Sequence, residues 1–287
     1  MTFVLTLIAL IAFAANSILC RLALGSASID AIGFTTLRLV SGAFALWILI
    51  GFSRRKWGVG GYGSWTSAFA LFVYAAAFSF AYASLSAGTG ALILFGSVQI
   101  TMLSTGLFKG ERLRVFQWLG LVMAFTGFVL LVSPGLKAPA PLGSALMTSA
   151  GIAWGAYSLR GRNVTDPIAV TADNFARSIA FLFPLLGIEL LRGLHITPVG
   201  ALWAILSGAL TSGLGYVFWY AALRGMKVTT GAIAQLSVPI LAAGGGILLL
   251  GETPTLRFLL STISTLGGMG LVVAARKKLI VVGVPEE

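Results

Sequence analysis

The chain has 287 residues, of which 58% are hydrophobic and only 9% charged, where a soluble domain carries about a quarter charged residues. That balance excludes a water-soluble globular protein and leaves no stretch able to form one beside the apolar segments. Nineteen Lys and Arg against eight Asp and Glu give a net charge of +11, a basic balance shared by nucleic-acid binders and by proteins that sit on anionic membranes.

A bilayer core is crossed by about 20 apolar residues in a helix. Ten stretches have that character, at 3–24, 31–52, 65–86, 89–108, 114–133, 142–160, 169–191, 199–223, 229–250 and 256–275. Charged or turn-rich joints separate them, such as Ser53-Arg54-Arg55-Lys56 and the proline-rich run from Ser133 to Pro141. Within the first stretch, Ala12-Phe13-Ala14 looks like a secretory cleavage site. No basic residues precede it, however, and the same segment recurs deeper in the chain, so it reads as a retained first helix. Ser17-Ile18-Leu19-Cys20 is a poor lipoprotein box because bulky Leu19 precedes the cysteine. A lone cysteine excludes an internal disulfide and a cysteine-cluster metal site, which makes Cys20 a packing residue.

With the N-terminus in the cytoplasm and the ten stretches alternating, thirteen basic residues fall on the cytoplasmic side. They are Arg54, Arg55, Lys56, Lys109, Arg112, Arg114, Arg160, Arg162, Arg224, Lys227, Arg276, Lys277 and Lys278. Only Arg21, Lys137, Arg192 and Arg257 fall outside. This is the positive-inside bias, and it predicts both termini in the cytoplasm. Nucleic acid would need the charge gathered on one folded surface; here it is scattered over short loops. The basic tail at 276–278 suits anionic lipid headgroups, making membrane lipids the expected partner.

The second half repeats the first. Thr89-Gly90-Ala91 recurs as Thr230-Gly231-Ala232 and Gly110-Glu111 as Gly251-Glu252, each 141 positions later. Residues 11–17 are answered at the same offset by 152–158, and Arg38 is answered by Arg177, 139 later. The division falls into 1–137 and 138–287, with five stretches in each. An odd number makes the second half start from the opposite face, so the copies are inverted. Inverted repeats place a substrate near the midplane, where the halves meet, and let each face open in turn.

Ten stretches in a five-plus-five repeat, a Gly-Glu pair closing the fourth helix of each half and an arginine in the second together resemble the drug/metabolite transporter superfamily. The segment Leu85-Ser86-Ala87-Gly88-Thr89-Gly90-Ala91-Leu92-Ile93-Leu94-Phe95-Gly96-Ser97-Val98-Gln99 is similar to the YddG-type exporters of aromatic amino acids. The resemblance implies an all-α integral membrane protein of the bacterial inner membrane, a basket-like bundle with a central cavity. The implied activity is export of aromatic amino acids and related compounds without a cofactor. Pro239 stands where the first half has Val98, so only the second half carries the mid-helix proline usual in the superfamily.

Away from the ends of the stretches, charged residues are few: Arg38, Asp173, Arg177 and Glu189. Such groups face an interior or an aqueous path. Asp173 and Arg177 are four apart on one helix face and can neutralise each other. Arg38 has no acid within its own helix; it bonds to carbonyl ends, snorkels outward, or meets a substrate carboxylate. Glu111 and Glu252 are expected to bracket the structure by accepting from the N–H groups that open the next helix, or to act in gating. A pocket for aromatic amino acids needs flat apolar walls and a few hydrogen-bonding groups. The candidates are Asn16, Tyr74, Tyr82, Gln99, Trp154, Tyr157, Trp219 and Gln235, from a wider set that also holds Asn174, Tyr216 and Tyr220. Packing against other helices and anchoring at the interface are the alternatives for each. Gly106 with Gly110 and Gly151 with Gly155 fit the small-xxx-small pattern of close helix contacts. His195 falls in an outer loop.

The reading is a secondary transporter exporting aromatic amino acids and similar small amphiphiles by alternating access. Other metabolites or cationic drugs, exported or imported, are the alternative. An enzyme would need a carboxylate, histidine or cysteine constellation in a cavity, which the sequence lacks. A channel would need a pore-lining ring of charges or carbonyls.

Overall fold

The computed structural model describes residues 2–54, 61–108, 115–133, 138–161, 164–193, 195–224 and 234–281. Glu111 and the repeated segments Gly110-Glu111 and Thr230-Gly231-Ala232 lie outside the described residues, as do most of the basic joints. The described chain is helical, and a single isolated bridge between Ile29 and Ile196 is its only extended pairing.

The helices in order are α1 (Thr2–Gly25), α2 (Ala31–Arg54), α3 (Trp65–Tyr82), α4 (Ala87–Phe108), α5 (Val115–Val132), α6 (Pro141–Gly161), α7 (Pro167–Ser178), α8 (Phe183–Arg192), α9 (Pro198–Leu206), α10 (Gly215–Arg224), α11 (Val238–Leu250) and α12 (Leu256–Val281). A 3₁₀ turn at Ile179–Leu182 joins α7 to α8. Pro184, in the first turn of α8, is its cause, since it has no N–H to give and its ring crowds the preceding turn. A π segment, Ser207–Leu214, joins α9 to α10. Among the described residues, five rods are long and apolar enough to cross a membrane: Thr2–Gly25, Ala31–Phe52, Trp65–Tyr82, Pro167–Leu191 and Pro198–Arg224.

Short polar side chains begin the rods where the sequence places them. Ser64, Asp166 and Thr197 accept from the N–H groups of Ser67, Ala169 and Gly200, with Pro167 and Pro198 filling first-turn positions that need no donor. Gly251, at φ 66°, ends α11 in the left-handed region, which glycine enters without a Cβ penalty.

The distribution of side chains is inverted relative to a soluble protein. Phe44, Phe116, Leu190, Leu248 and Ile263 are exposed, while Asn16, Arg38, Asp173, Asn174, Gln235 and Ser212 are buried. An apolar exterior around an interior that also holds the polar and charged groups is what lipid selects. Inside it, α5 pairs with α12, α3 and α4 with α6, α1 with α10 and α11, and α2 with α7 and the π segment. Glycines set the closeness of these contacts: Gly151 lies against the Leu94 carbonyl and Gly155 against Thr101. The small-xxx-small reading of that pair therefore applies to the α4–α6 seam. Gly110 of the other pair is outside the described residues.

Two expectations change. Pro239 is not a kink within a continuous helix. It sits in the first turn of α11, after a turn at 236–237, a place where its missing donor costs nothing. Glu252 does not hold the helix that follows it. The left-handed Gly251 turns its carboxylate back onto α4, where Oε1 and Oε2 accept from the Ala87 N–H at 3.0 and 2.9 Å. Arg21 of α1 approaches Oε1 at 3.4 Å. The bracket joins the two halves of the chain, α1 and α4 on one side and α11 on the other.

Candidate functional site

The interior between α1, α2, α3, α6 and α10 is a cage of aromatic rings around one guanidinium. Phe13 of α1 meets Trp154 of α6 and Trp219 of α10, each at 5.6 Å between ring centroids. Trp154 lies 4.6 Å from Tyr216 and 5.1 Å from Tyr74. Trp154, Tyr216 and Trp219 are at most 2% exposed. Helical spacing explains the grouping, since Trp154 with Tyr157 and Tyr216 with Trp219 and Tyr220 are three or four apart and share a face.

Arg38 enters this cage from α2 and is 1% exposed, so it does not snorkel. Burial is enforced by its helix: Gly208 of the π segment abuts the Arg38 carbonyl and Ser41, and Gly42 abuts Phe175. Larger residues at these glycines would hold the helices apart. Nε donates to Ser212 Oγ at 2.9 Å, and Nη2 donates to the hydroxyls of Tyr74 and Tyr216 at 3.0 Å each. Its Cζ lies 5.0 Å from the Tyr74 ring centroid and 4.8 Å from that of Phe78. All these partners are neutral, and Nη1 is buried without one. Its repeat mate shows what is missing. Arg177 pairs with Asp173, four residues before it, at 2.9 Å, whereas the residue four before Arg38 is Phe34. Among the described residues, no carboxylate pairs with the buried Arg38 guanidinium.

Beside the guanidinium, Asn16 donates to the Tyr74 hydroxyl at 3.3 Å and accepts from Ser207 and Thr211 at 2.6 and 3.1 Å. Trp154 Nε1 and Trp219 Nε1 are buried donors without partners. Aromatic faces, one buried cation with an N–H₂ group that has no partner, and two buried indole donors without partners have the chemistry that an anionic group on a flat or apolar body would satisfy.

The site residues read from the sequence divide accordingly. Asn16, Tyr74, Trp154 and Trp219 meet in the cage, joined by Arg38. Tyr157 lies at its edge, 5.7 Å from Trp154 and 5.9 Å from Tyr220. Tyr82 does not take part; its hydroxyl donates to the Ala87 carbonyl at 3.2 Å and its ring fills the space over Gly90. It fastens the α3–α4 turn. Gln99 and Gln235 are buried, and Gln235 Oε1 has no hydrogen-bond partner among the described residues. Sequence reasoning missed Ser207, Thr211 and Ser212. The cluster Ser207-Gly208-Ala209-Leu210-Thr211-Ser212-Gly213 inside an apolar stretch was the available signal.

Asp173 serves a second purpose besides Arg177. Its Oδ2 accepts from the N–H groups of Tyr62 and Gly63 at 3.0 and 2.7 Å, and Asn174 Oδ1 accepts from that of Ser64 at 3.0 Å. The pair holds the approach to α3 against α7. Next to this latch a cavity of about 350 Å³ opens, with Ser64, Ser67, Arg160 and Asn174 among its lining and Tyr157 and Tyr220 on its inner side.

Comparison with known proteins finds relatives of this chain. A protein of Pseudomonas aeruginosa, described only as uncharacterized, is 51% identical over 96% of this chain and 95% of its own. The threonine/homoserine exporter RhtA of Salmonella typhimurium is 29% identical over 53% of this chain and 52% of its own. A protein of Streptantibioticus cattleyicolor named "Probable terminal-alkyne amino-acid exporter" is 25% identical over 58% of each chain. A crystal structure at 20% identity superposes with a TM-score of 0.64, covering 96% of this chain and 99% of the other, and shares the fold. The sequence model of the EamA-like transporter family matches residues 1–133 and 141–274, nearly the whole chain, and the protein belongs to that family of multi-pass membrane transporters.

Proposed function

We propose that this protein exports amino acids, with a preference for aromatic side chains and related small amphiphiles, by alternating access across the bacterial inner membrane. The observation that carries the reading is Arg38, a buried guanidinium that pairs with no carboxylate among the described residues and has one N–H₂ group without a hydrogen-bond partner, walled by aromatic rings. A substrate carboxylate neutralises that charge, and the rings receive a flat side chain. The idle indole N–H groups of Trp154 and Trp219 add donors for the carboxylate. An amino-acid exporter is also what two of the relatives are named. A cationic drug would meet repulsion from Arg38, which disfavours that alternative. No bond is made or broken, so the reading is transport and not enzymatic conversion.

In this reading the chain crosses the membrane ten times as two inverted halves, 1–137 and 138–287, with both termini in the cytoplasm. The packing supports it. Residues 141 apart touch along the central seam, as twofold mates near an axis do: Phe13 with Trp154 at 5.6 Å, Ser264 with the Met123 carbonyl at 2.8 Å, and Thr265 with the Ala124 carbonyl at 3.5 Å. The contact of α4 with α6 also has a counterpart in that of α1 with α11. Arg38, Tyr74, Asn16 and Trp154 serve substrate binding, while Glu252, with Arg21, fastens the opposite end.

Counterflow in proteoliposomes tests the reading. Unlabelled phenylalanine, tyrosine or tryptophan inside the vesicles should accelerate uptake of the labelled compound, threonine and homoserine should act more weakly, and cationic dyes should not act at all. Absence of acceleration by every amino acid would remove the proposal.

A further inference from the structure

We propose that the cavity at Arg160 is a second amino-acid site, a carboxylate-binding station at the mouth of the path to Arg38; it rests on the amino-acid reading above. Its volume of about 350 Å³ falls in the range of small-molecule sites, roughly 300–1,000 Å³. One wall is the end of α6, where Arg160 Nε donates to Ser67 Oγ at 2.9 Å and Nη2 to Ser64 Oγ at 3.2 Å. Two hydroxyls on the first turn of α3 therefore fix the guanidinium, while no carboxylate among the described residues pairs with it. Asp173, next to the lining residue Asn174, is already committed: its two oxygens are taken by Arg177 and by the N–H groups of Tyr62 and Gly63. The station repeats the chemistry of the central cage, an arginine oriented by neutral hydroxyls and left without a counter-ion.

The inner wall gives the site its substrate class. Gly161 leaves room for the Tyr220 ring to lie over the end of α6; a Cβ there would come within 2.5 Å of it. Tyr220 then stands 5.9 Å from Tyr157 and donates to the Tyr157 carbonyl at 3.4 Å. Tyr157 is in turn 5.7 Å from Trp154. Its hydroxyl accepts from Asn174 Nδ2 at 3.5 Å. Two tyrosines thus form a partition with the cavity on one face and the cage on the other. An amino acid held by its carboxylate at Arg160 lies with its ammonium and side chain against aromatic faces, which attract both. Rotation of Tyr157 and Tyr220 passes it from one arginine to the next. The two stations differ in strength, because Arg38 is fully desolvated and Arg160 is open to water, where its attraction is screened.

Saturation binding of radiolabelled L-phenylalanine to the full chain in nanodiscs tests this. The parent protein should show two classes of site. R160Q should abolish the weaker and spare the tighter. R160K, which keeps the charge but loses the fork, should weaken it about three- to tenfold, as should S67A, which releases the guanidinium. R38Q should do the reverse, removing the tighter class and leaving the weaker. A single class in the parent, or a weaker class that survives R160Q and S67A alike, would overturn the station. Loss of the tighter class in R160Q but not in R38Q would instead overturn the role of Arg38, and no binding by the parent would remove both.

Discussion

Replacing Arg38 by glutamine removes the one charge in the cage while keeping an amide that can still bond to Ser212, Tyr74 or Tyr216. The buried Nη1 group, which has no hydrogen-bond partner, is what a substrate carboxylate would meet. A hydrogen bond to a charged group contributes about 1.5–3 kcal/mol, and in a cage buried to this degree the upper part of that range applies. At about 1.4 kcal/mol per tenfold change, R38Q should weaken L-phenylalanine binding by roughly 40- to 150-fold. Phenethylamine, which has the ring and the ammonium but no carboxylate, has nothing to lose at Arg38 and is relieved of repulsion, so its affinity should hold or rise. Equilibrium binding of both compounds to the parent and the variant gives the two ratios. An equal loss for both would show that Arg38 acts only by holding the helices together and would refute the reasoning.

Other positions give independent checks. Glu252→Gln weakens the hold on the Ala87 N–H and the ion pair with Arg21, and should lower stability by about 1–2 kcal/mol, read as a reduced thermal midpoint of the purified protein. Asp173→Asn should free the approach to α3, since the amides of Tyr62 and Gly63 lose a charged acceptor; their hydrogen exchange should quicken by about 10- to 100-fold while that of α5 and α12 stays unchanged. Gly208→Ala forces a methyl onto the Arg38 carbonyl and should cost about 1–3 kcal/mol. Gly244→Ala, where a Cβ meets nothing, should instead stabilise by up to about 1 kcal/mol through helix propensity. The opposite signs of these two glycine substitutions are measurable in one melting series.

How much of this was legible beforehand depended on whether the cause is local. Helix positions follow from apolar runs and from caps such as Ser64, Asp166 and Thr197, so the expected stretches and observed rods agree to within a few residues over most of the described chain. The ion pair Asp173–Arg177 was readable because four-residue spacing fixes it within one helix. Arg38 was not, because its partners Ser212 and Tyr216 are 174 and 178 residues away and only helix packing brings them to it. The same holds for Glu252, whose bond to Ala87 spans 165 residues. Tyr82 was chosen for its type and depth, yet its hydroxyl is spent five residues along, on a turn. The π segment escaped notice since nothing in a pattern of period 3.6 marks the insertion that widens one turn. What the sequence could offer at these places was the broken repeat. Asn16 opposite Tyr157 and Phe13 opposite Trp154 are such mismatches, and all four lie in the cage or at its rim.

The most direct test of the central claim is a structure of the protein bound to L-tryptophan. The account predicts the substrate carboxylate about 3 Å from Arg38 Nη1, with the indole among Phe13, Trp154 and Trp219. A carboxylate bound elsewhere, with Arg38 still enclosed by its hydroxyls and Nη1 untouched, would contradict it.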